Sequence, residues 1–208
     1  MNDLCEDDRS LDCLKRQSHS ELGKDCRQVV FKQQRSEVMM NTIDPILTKY
    51  CASEIKTHCK DTQPGPNSVL NCLKENKDAV NFDHSCRKIV VRRIIQQMKD
   101  FRLNPRLQSA CSSDLPKVCA NVILGDLQED DFLEGKVIEC LKDQYRNDHD
   151  KLSKLCSKEI KNLMRQATVD FRANPKLVKT CPETISYCKE QTGFDVGKED
   201  DGRMEGEY

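Results

Sequence analysis

Apolar positions along the chain recur at helical spacing in two long stretches. Val90, Val91, Ile94, Ile95, Met98 and Phe101 fall on one side of a helical wheel, with Arg87, Lys88, Arg92, Arg93, Gln96 and Gln97 between them. That pattern predicts an amphipathic helix with one buried stripe. Ile160, Leu163, Met164, Ala167 and Phe171 repeat it further on. Asn104-Pro105 and Asn174-Pro175 then end one helix and open the next, as Asp44-Pro45 does upstream. Proline disfavours helix in its predecessor but suits a first helical turn. Each Pro-initiated helix is expected to run through one cysteine to about the next. A loop such as Asp61-Thr62-Gln63-Pro64-Gly65-Pro66 follows, and a short helix carries Cys-Leu-Lys. The fold class is therefore all-α, an elongated array with about three helices per unit.

The cysteines set the register of that array. Cys51, Cys59, Cys72 and Cys86 form one set of four, and Cys111, Cys119, Cys140 and Cys156 form the next. The step from a fourth cysteine to the following first one is identical from Cys26 to Cys51, Cys86 to Cys111 and Cys156 to Cys181. Cys-Leu-Lys recurs at 13–15, 72–74 and 140–142, and Pro-x-Leu-x-x-x-Cys begins at Pro45, Pro105 and Pro175. A fixed period of this kind marks tandem supersecondary units. The units read as a partial repeat over 1–43, complete repeats over 44–103 and 104–173, the start of another over 174–192, and an acidic, disordered tail over 193–208. Both ends read as cut from a longer array.

Composition explains why such a chain needs staples. Only 37% of its 208 residues are hydrophobic and 33% are charged, with no tryptophan, so burial alone offers a thin core. Thirteen cysteines in so polar a chain fit an oxidising compartment, placing it in the secretory lumen. Helix geometry favours nested pairing. Cys59 and Cys72 flank one interhelix loop, while Cys51 lies about 12 Å back along its helix, at the height of Cys86. The expected bridges are Cys5–Cys13, Cys59–Cys72, Cys51–Cys86, Cys119–Cys140 and Cys111–Cys156, leaving Cys26, Cys181 and Cys188 over. A rival scheme joins each fourth cysteine to the next first one, as in Cys86–Cys111, and leaves only Cys188 over.

Other chemistry is thinly represented. A formal charge of −1, from 34 basic and 35 acidic residues, gives no global field for nucleic acid. No apolar stretch approaches the ~20 residues of a membrane-spanning helix, so any anchorage is expected through a segment outside this chain. Neither a basic and apolar leader nor an Asn-x-Ser/Thr sequon is present. Zinc usually takes Cys-x2-4-Cys pairs, and none occurs. A redox Cys-x-x-Cys is also missing, and His19, His58, His84 and His149 hold no repeated place beside a cysteine. No cofactor or metal is expected, and the chain does not read as an enzyme. Arg87, Lys88, Arg92 and Arg93 form the candidate patch for an acidic partner or a sulfated glycan, although an amphipathic helix carries such residues on its solvated face anyway.

The four-cysteine order with Cys-Leu-Lys at its third position, as in Tyr50-Cys51-Ala52-Ser53-Glu54-Ile55-Lys56-Thr57-His58-Cys59 and Asn71-Cys72-Leu73-Lys74-Glu75-Asn76-Lys77, resembles a known family. This is the family of cysteine-rich repeats in the Golgi sialoglycoprotein also described as a cysteine-rich fibroblast growth factor receptor and E-selectin ligand. The resemblance covers nearly the whole chain. It implies a luminal, Golgi-associated, membrane-anchored glycoprotein whose repeats bind growth factors and selectins and influence the trafficking of secreted ligands. The alternative is a saposin-like lipid-binding helical protein, which would carry more apolar surface than this chain offers.

Overall fold

A computed structural model of the chain describes residues 11–16, 22–40, 44–63, 65–126, 135–169 and 171–192. Among them there is no strand, and thirteen α-helices follow one another. Two come first, α1 (Leu11–Arg16) and α2 (Lys24–Met39). The first complete unit holds α3 (Pro45–Tyr50), α4 (Ala52–His58), α5 (Ser68–Asn76) and the long α6 (His84–Lys99). The second holds α7 (Pro105–Cys111), α8 (Leu115–Val118), α9 (Ala120–Asp126), α10 (Lys136–Asn147) and the long α11 (Lys154–Val169). Then come α12 (Pro175–Thr180) and α13 (Pro182–Thr192). The tail over 193–208 lies outside the described residues.

The Asx-Pro pairs start helices by a shared device. The side chains of Asp44, Asn104 and Asn174 accept the backbone N–H of Leu47, Leu107 and Leu177 at 2.9, 3.2 and 3.1 Å, and proline occupies the next position, where no N–H is needed. The segment that follows is not one helix. It breaks at Cys51, whose φ of −107° and ψ of 12° leave the helical region. The break turns α4 toward α5 while α3 stays against α6, so cysteines on a single segment reach partners on two different elements. In the second unit the same interruption falls at 112–114.

Each long helix lies at the centre of its unit. Val90 and Met98 of α6 are fully buried, and Ile89 and Ile94 nearly so, beneath Leu47 of α3 and Leu70 and Leu73 of α5. In the second unit Ile160 and Leu163 of α11 pack with Leu107, Val137 and Leu141.

Neighbouring units meet at a joint that the structure repeats. The residue before each short helix adopts the left-handed conformation, Asn67 at φ 54° and Gly135 at φ 76°. Glycine carries no penalty there, and asparagine is among the side chains that best tolerate it. In that conformation each donates its N–H to the C-terminal end of the preceding unit's long helix, Asn67 to the Val38 carbonyl at 3.1 Å and Gly135 to that of Lys99 at 2.6 Å. Both bonds satisfy carbonyls that a helix end leaves open. The Asp-Phe-Arg motif closes the same joint. Phe101–Leu103 forms a 3-10 turn against α2, and Phe171–Ala173 forms one against α6. Buried Asp100 accepts the backbone N–H of Arg102 at 2.8 Å and its guanidinium at 2.7–3.1 Å, which lays Arg102 over the Phe31 ring at 4.3 Å.

Candidate binding surface

Four disulfides frame the two complete units. Cys51 joins Cys86 and Cys59 joins Cys72, with Cα separations of 4.8 and 5.9 Å, and Cys111 joins Cys156 and Cys119 joins Cys140, at 4.6 and 6.1 Å. The bridges are nested, so each unit closes on itself and no bridge ties Cys86 to Cys111. Cys13 is also disulfide-bonded. Its expected partner Cys5 lies outside the described residues. Cys26 is exposed and Cys181 half-buried, and both keep free thiols. Cys188 is exposed and stands outside the four bridges.

The repeated Cys-Leu-Lys lysines point inward, which the sequence alone did not suggest. The Lys15 Nζ reaches Glu37 of α2 at 2.6 Å with its side chain buried. Lys74 donates to the Gln97 side chain of α6 at the corresponding place. In the second unit that register position is Ala167, and Lys142 turns instead to Glu139 of its own helix at 2.7 Å. Burial, with the nearby Arg106 cation second, lowers the Lys74 pKa to about 8, and Glu159 offsets part of the fall.

Between pH 8 and 10.5 the unfolded chain therefore binds a proton at Lys74 that the folded chain does not, and stability rises with pH through that window. Below pH 8 the cost of the buried charge is present in full. Replacing Lys74→Met together with Gln97→Leu is expected to stabilise the chain by about 2 kcal/mol at pH 7. That advantage should shrink at pH 10. Denaturant titrations of both chains at the two pH values check it.

The four basic residues of the α6 cluster do not form one docking patch. Arg93 is only 5% exposed and grips Asp44 with both arms of its guanidinium, at 2.7 and 3.0 Å. Burial alone would raise the Asp44 pKa, but the Arg93 hydrogen bonds and charge hold it below its ordinary value. Arg87 donates to the backbone carbonyls of Lys77 at 2.8 Å and Ala79 at 3.3 Å, and lies 6.0 Å from the Phe82 ring. Lys88 and Arg92 are half-buried beside them. Arg93 and Arg87 turn inward because α6 packs against α3 on one side and against the loop at 77–83, between α5 and α6, on another.

The loop at 77–83 is held from several sides. Phe82 is buried beneath it and stacks on His58 at 6.1 Å. Glu54 accepts the Asp83 N–H at 3.3 Å, and Asp83 caps α6 through Cys86 N at 2.8 Å. With Arg87 holding two of its carbonyls, the loop lifts Val80 into solvent at 97% exposure. Among the described residues no three His, Cys, Asp or Glu side chains gather as metal ligands would, and no helix is long and apolar enough to cross a membrane.

The model of the family called cysteine rich repeat matches residues 24–81, 84–149 and 154–205, most of the chain. The chain belongs to the cysteine-rich repeat family. It is similar to Golgi apparatus protein 1 of Gallus gallus, at 36% identity over 196 residues, and of Homo sapiens, at 35% over 196 residues. Each of these comparisons takes in 94% of this chain and 16% of the relative. The Golgi apparatus protein 1 homolog of Caenorhabditis elegans is 28% identical over 204 residues, covering 94% of this chain and 18% of the relative. The chain thus spans less than a fifth of the length of the curated relatives it matches. No solved structure matches it.

These relatives place the cysteine-rich repeat chain in the Golgi apparatus, and its disulfides fit the oxidising luminal side. The matched repeats begin where the long helices begin, at 24, 84 and 154. The first two matched repeats thus each carry a long helix and then the first three cysteines of the following disulfide-closed unit. Sequence period and covalent unit are out of phase by one helix, so neighbouring repeats are interlocked.

Proposed function

We propose that this chain is a non-enzymatic binding scaffold of the Golgi lumen. It holds secreted protein ligands of the growth-factor or selectin class and so affects their trafficking. The observation that carries this reading is the Val80 loop, an apolar side chain wholly in water on backbone fixed by Arg87, Phe82 and two disulfides. A rigid loop loses little conformational entropy on binding, and one well-seated apolar anchor can dominate an interface. Membership of a family whose relatives are Golgi proteins supports the compartment.

The test is surface plasmon resonance of immobilised oxidised chain with a fibroblast growth factor and with a selectin ectodomain. Val80→Asp is expected to weaken binding of the responsive ligand about tenfold, with helicity and melting temperature unchanged because Val80 touches no core. Binding unaffected by Val80→Asp would remove the loop from the interface. Failure of both ligand classes to bind would overturn the reading.

A further inference from the structure

Both complete units tie down the loop before the long helix by the same bond. Glu54 accepts the Asp83 N–H at 3.3 Å, and Asp114, at the corresponding register position, accepts the Ser153 N–H at 3.0 Å. Both carboxylates are buried. What differs is the company they keep. The second unit has Val118 one residue before its second cysteine and Leu152 one residue before Ser153, whereas the first unit has His58 and Phe82 at those positions.

His58 reaches both parts of this tie. Its Nε2 lies 3.4 Å from Glu54 Oε2, and its ring stacks on Phe82 at 6.1 Å. Glu54 Oε2 is buried and accepts no hydrogen bond from the described residues, a costly position for a carboxylate oxygen. His58 keeps a 27% exposed side chain, so water can deliver a proton to it. The other charged groups of the packed elements are engaged elsewhere. In the loop, Asp83 turns its carboxylate to Cys86 N at 2.8 Å and Lys77 pairs with Asp78. On α6, Arg87 holds the Lys77 and Ala79 carbonyls, 6.0 Å from the Phe82 ring. On α5, Lys74 turns to Gln97 and Glu75 to Arg106.

We propose that His58 and Glu54 form an acid-sensitive latch beneath the Val80 loop. Histidine is the side chain that takes up a proton between neutral and mildly acid pH. The imidazolium supplies the Glu54 oxygen with a charged donor and so fixes the carboxylate that holds the Asp83 N–H. The contribution is present at the acid end and is lost as pH rises through the histidine range. The second unit, with Val118 in that place, has no such response. Resting on the binding role proposed above, the latch presents Val80 more firmly, and holds ligand more tightly, in acid.

The experiment measures amide hydrogen exchange of the oxidised 208-residue chain at about pH 7.5 and about pH 5.5, each rate normalised to the intrinsic rate at that pH. Asp83 protection is expected to rise about fivefold toward acid, the upper range for a part-exposed ion pair, while Ser153 protection stays constant. His58→Val, which copies the second unit, and Glu54→Gln should each abolish the rise, with Ser153 reporting that the chain remains folded. An unchanged Asp83 in wild type, or the same rise in His58→Val, would overturn the latch. This readout needs no ligand, so it stands apart from the binding reading. Plasmon resonance at the same two pH values should show severalfold tighter binding in acid for wild type and none of that gain for His58→Val. Affinity that ignores pH while Asp83 responds would disprove the link between latch and ligand, and absence of binding at both pH values would count against the binding reading alone.

Discussion

Replacing Cys51 and Cys86 together by alanine is expected to cost about 4 kcal/mol of unfolding free energy, because the bridge closes a loop of about 35 residues. The entropy of closing that loop is removed from the unfolded chain while the bridge stands and returns when it is cut. The Cys59–Cys72 bridge spans 13 positions, and its loss should cost about 3 kcal/mol. A domain of ordinary stability has roughly 5–15 kcal/mol in all, and this one has a thin apolar core. The first double variant should therefore leave its unit near the midpoint at 37 °C. Urea titration followed by circular dichroism measures both values, and a change under ~1 kcal/mol for Cys51 and Cys86 would mean that packing alone holds the unit.

Asp44→Ala is expected to cost about 3–5 kcal/mol, since it removes the cap of α3 and the carboxylate that neutralises the buried Arg93 guanidinium. The second unit supplies the rescue. At the corresponding positions it holds Asn104, which caps α7 without charge, and Leu163, which is 4% exposed. Asp44→Asn combined with Arg93→Leu copies that solution and should return stability to within about 1 kcal/mol of wild type. Asp44→Asn alone should remain destabilised. The folded pKa of Asp44 lies below its ordinary 3.8, so the pair stabilises the fold above that value and the contribution is lost as pH falls through the lower, folded one. Acid titration of the double variant should lack this component, and a double variant no better than Asp44→Ala would show that the two units are not interchangeable at this site.

Much of the architecture was legible because cysteines report register directly. A helix-opening Asx-Pro and a cysteine a fixed step later left few ways to nest the bridges, and the Cys51–Cys86 and Cys111–Cys156 staples occupy matching positions in successive units. The fate of the charged residues was not legible. Periodicity assigns Arg93 to a polar position, and only the packing of α3 against α6 turns it inward, as burial between α5 and α6 does for Lys74. The break at Cys51 escaped as well, since no glycine or proline marks it. The joint between units was half visible, as a repeated Asp-Phe-Arg. Its other half, the left-handed Asn67 and Gly135, has no shared residue type to reveal it.

The most direct test of the account is the disulfide map of the natively oxidised chain, obtained by proteolysis and mass spectrometry after secretion through an oxidising pathway. The account predicts Cys51–Cys86, Cys59–Cys72, Cys111–Cys156 and Cys119–Cys140, the frame on which a luminal scaffold with a fixed Val80 loop depends. Bridges from Cys86 to Cys111, or cysteines recovered as free thiols throughout, would contradict it.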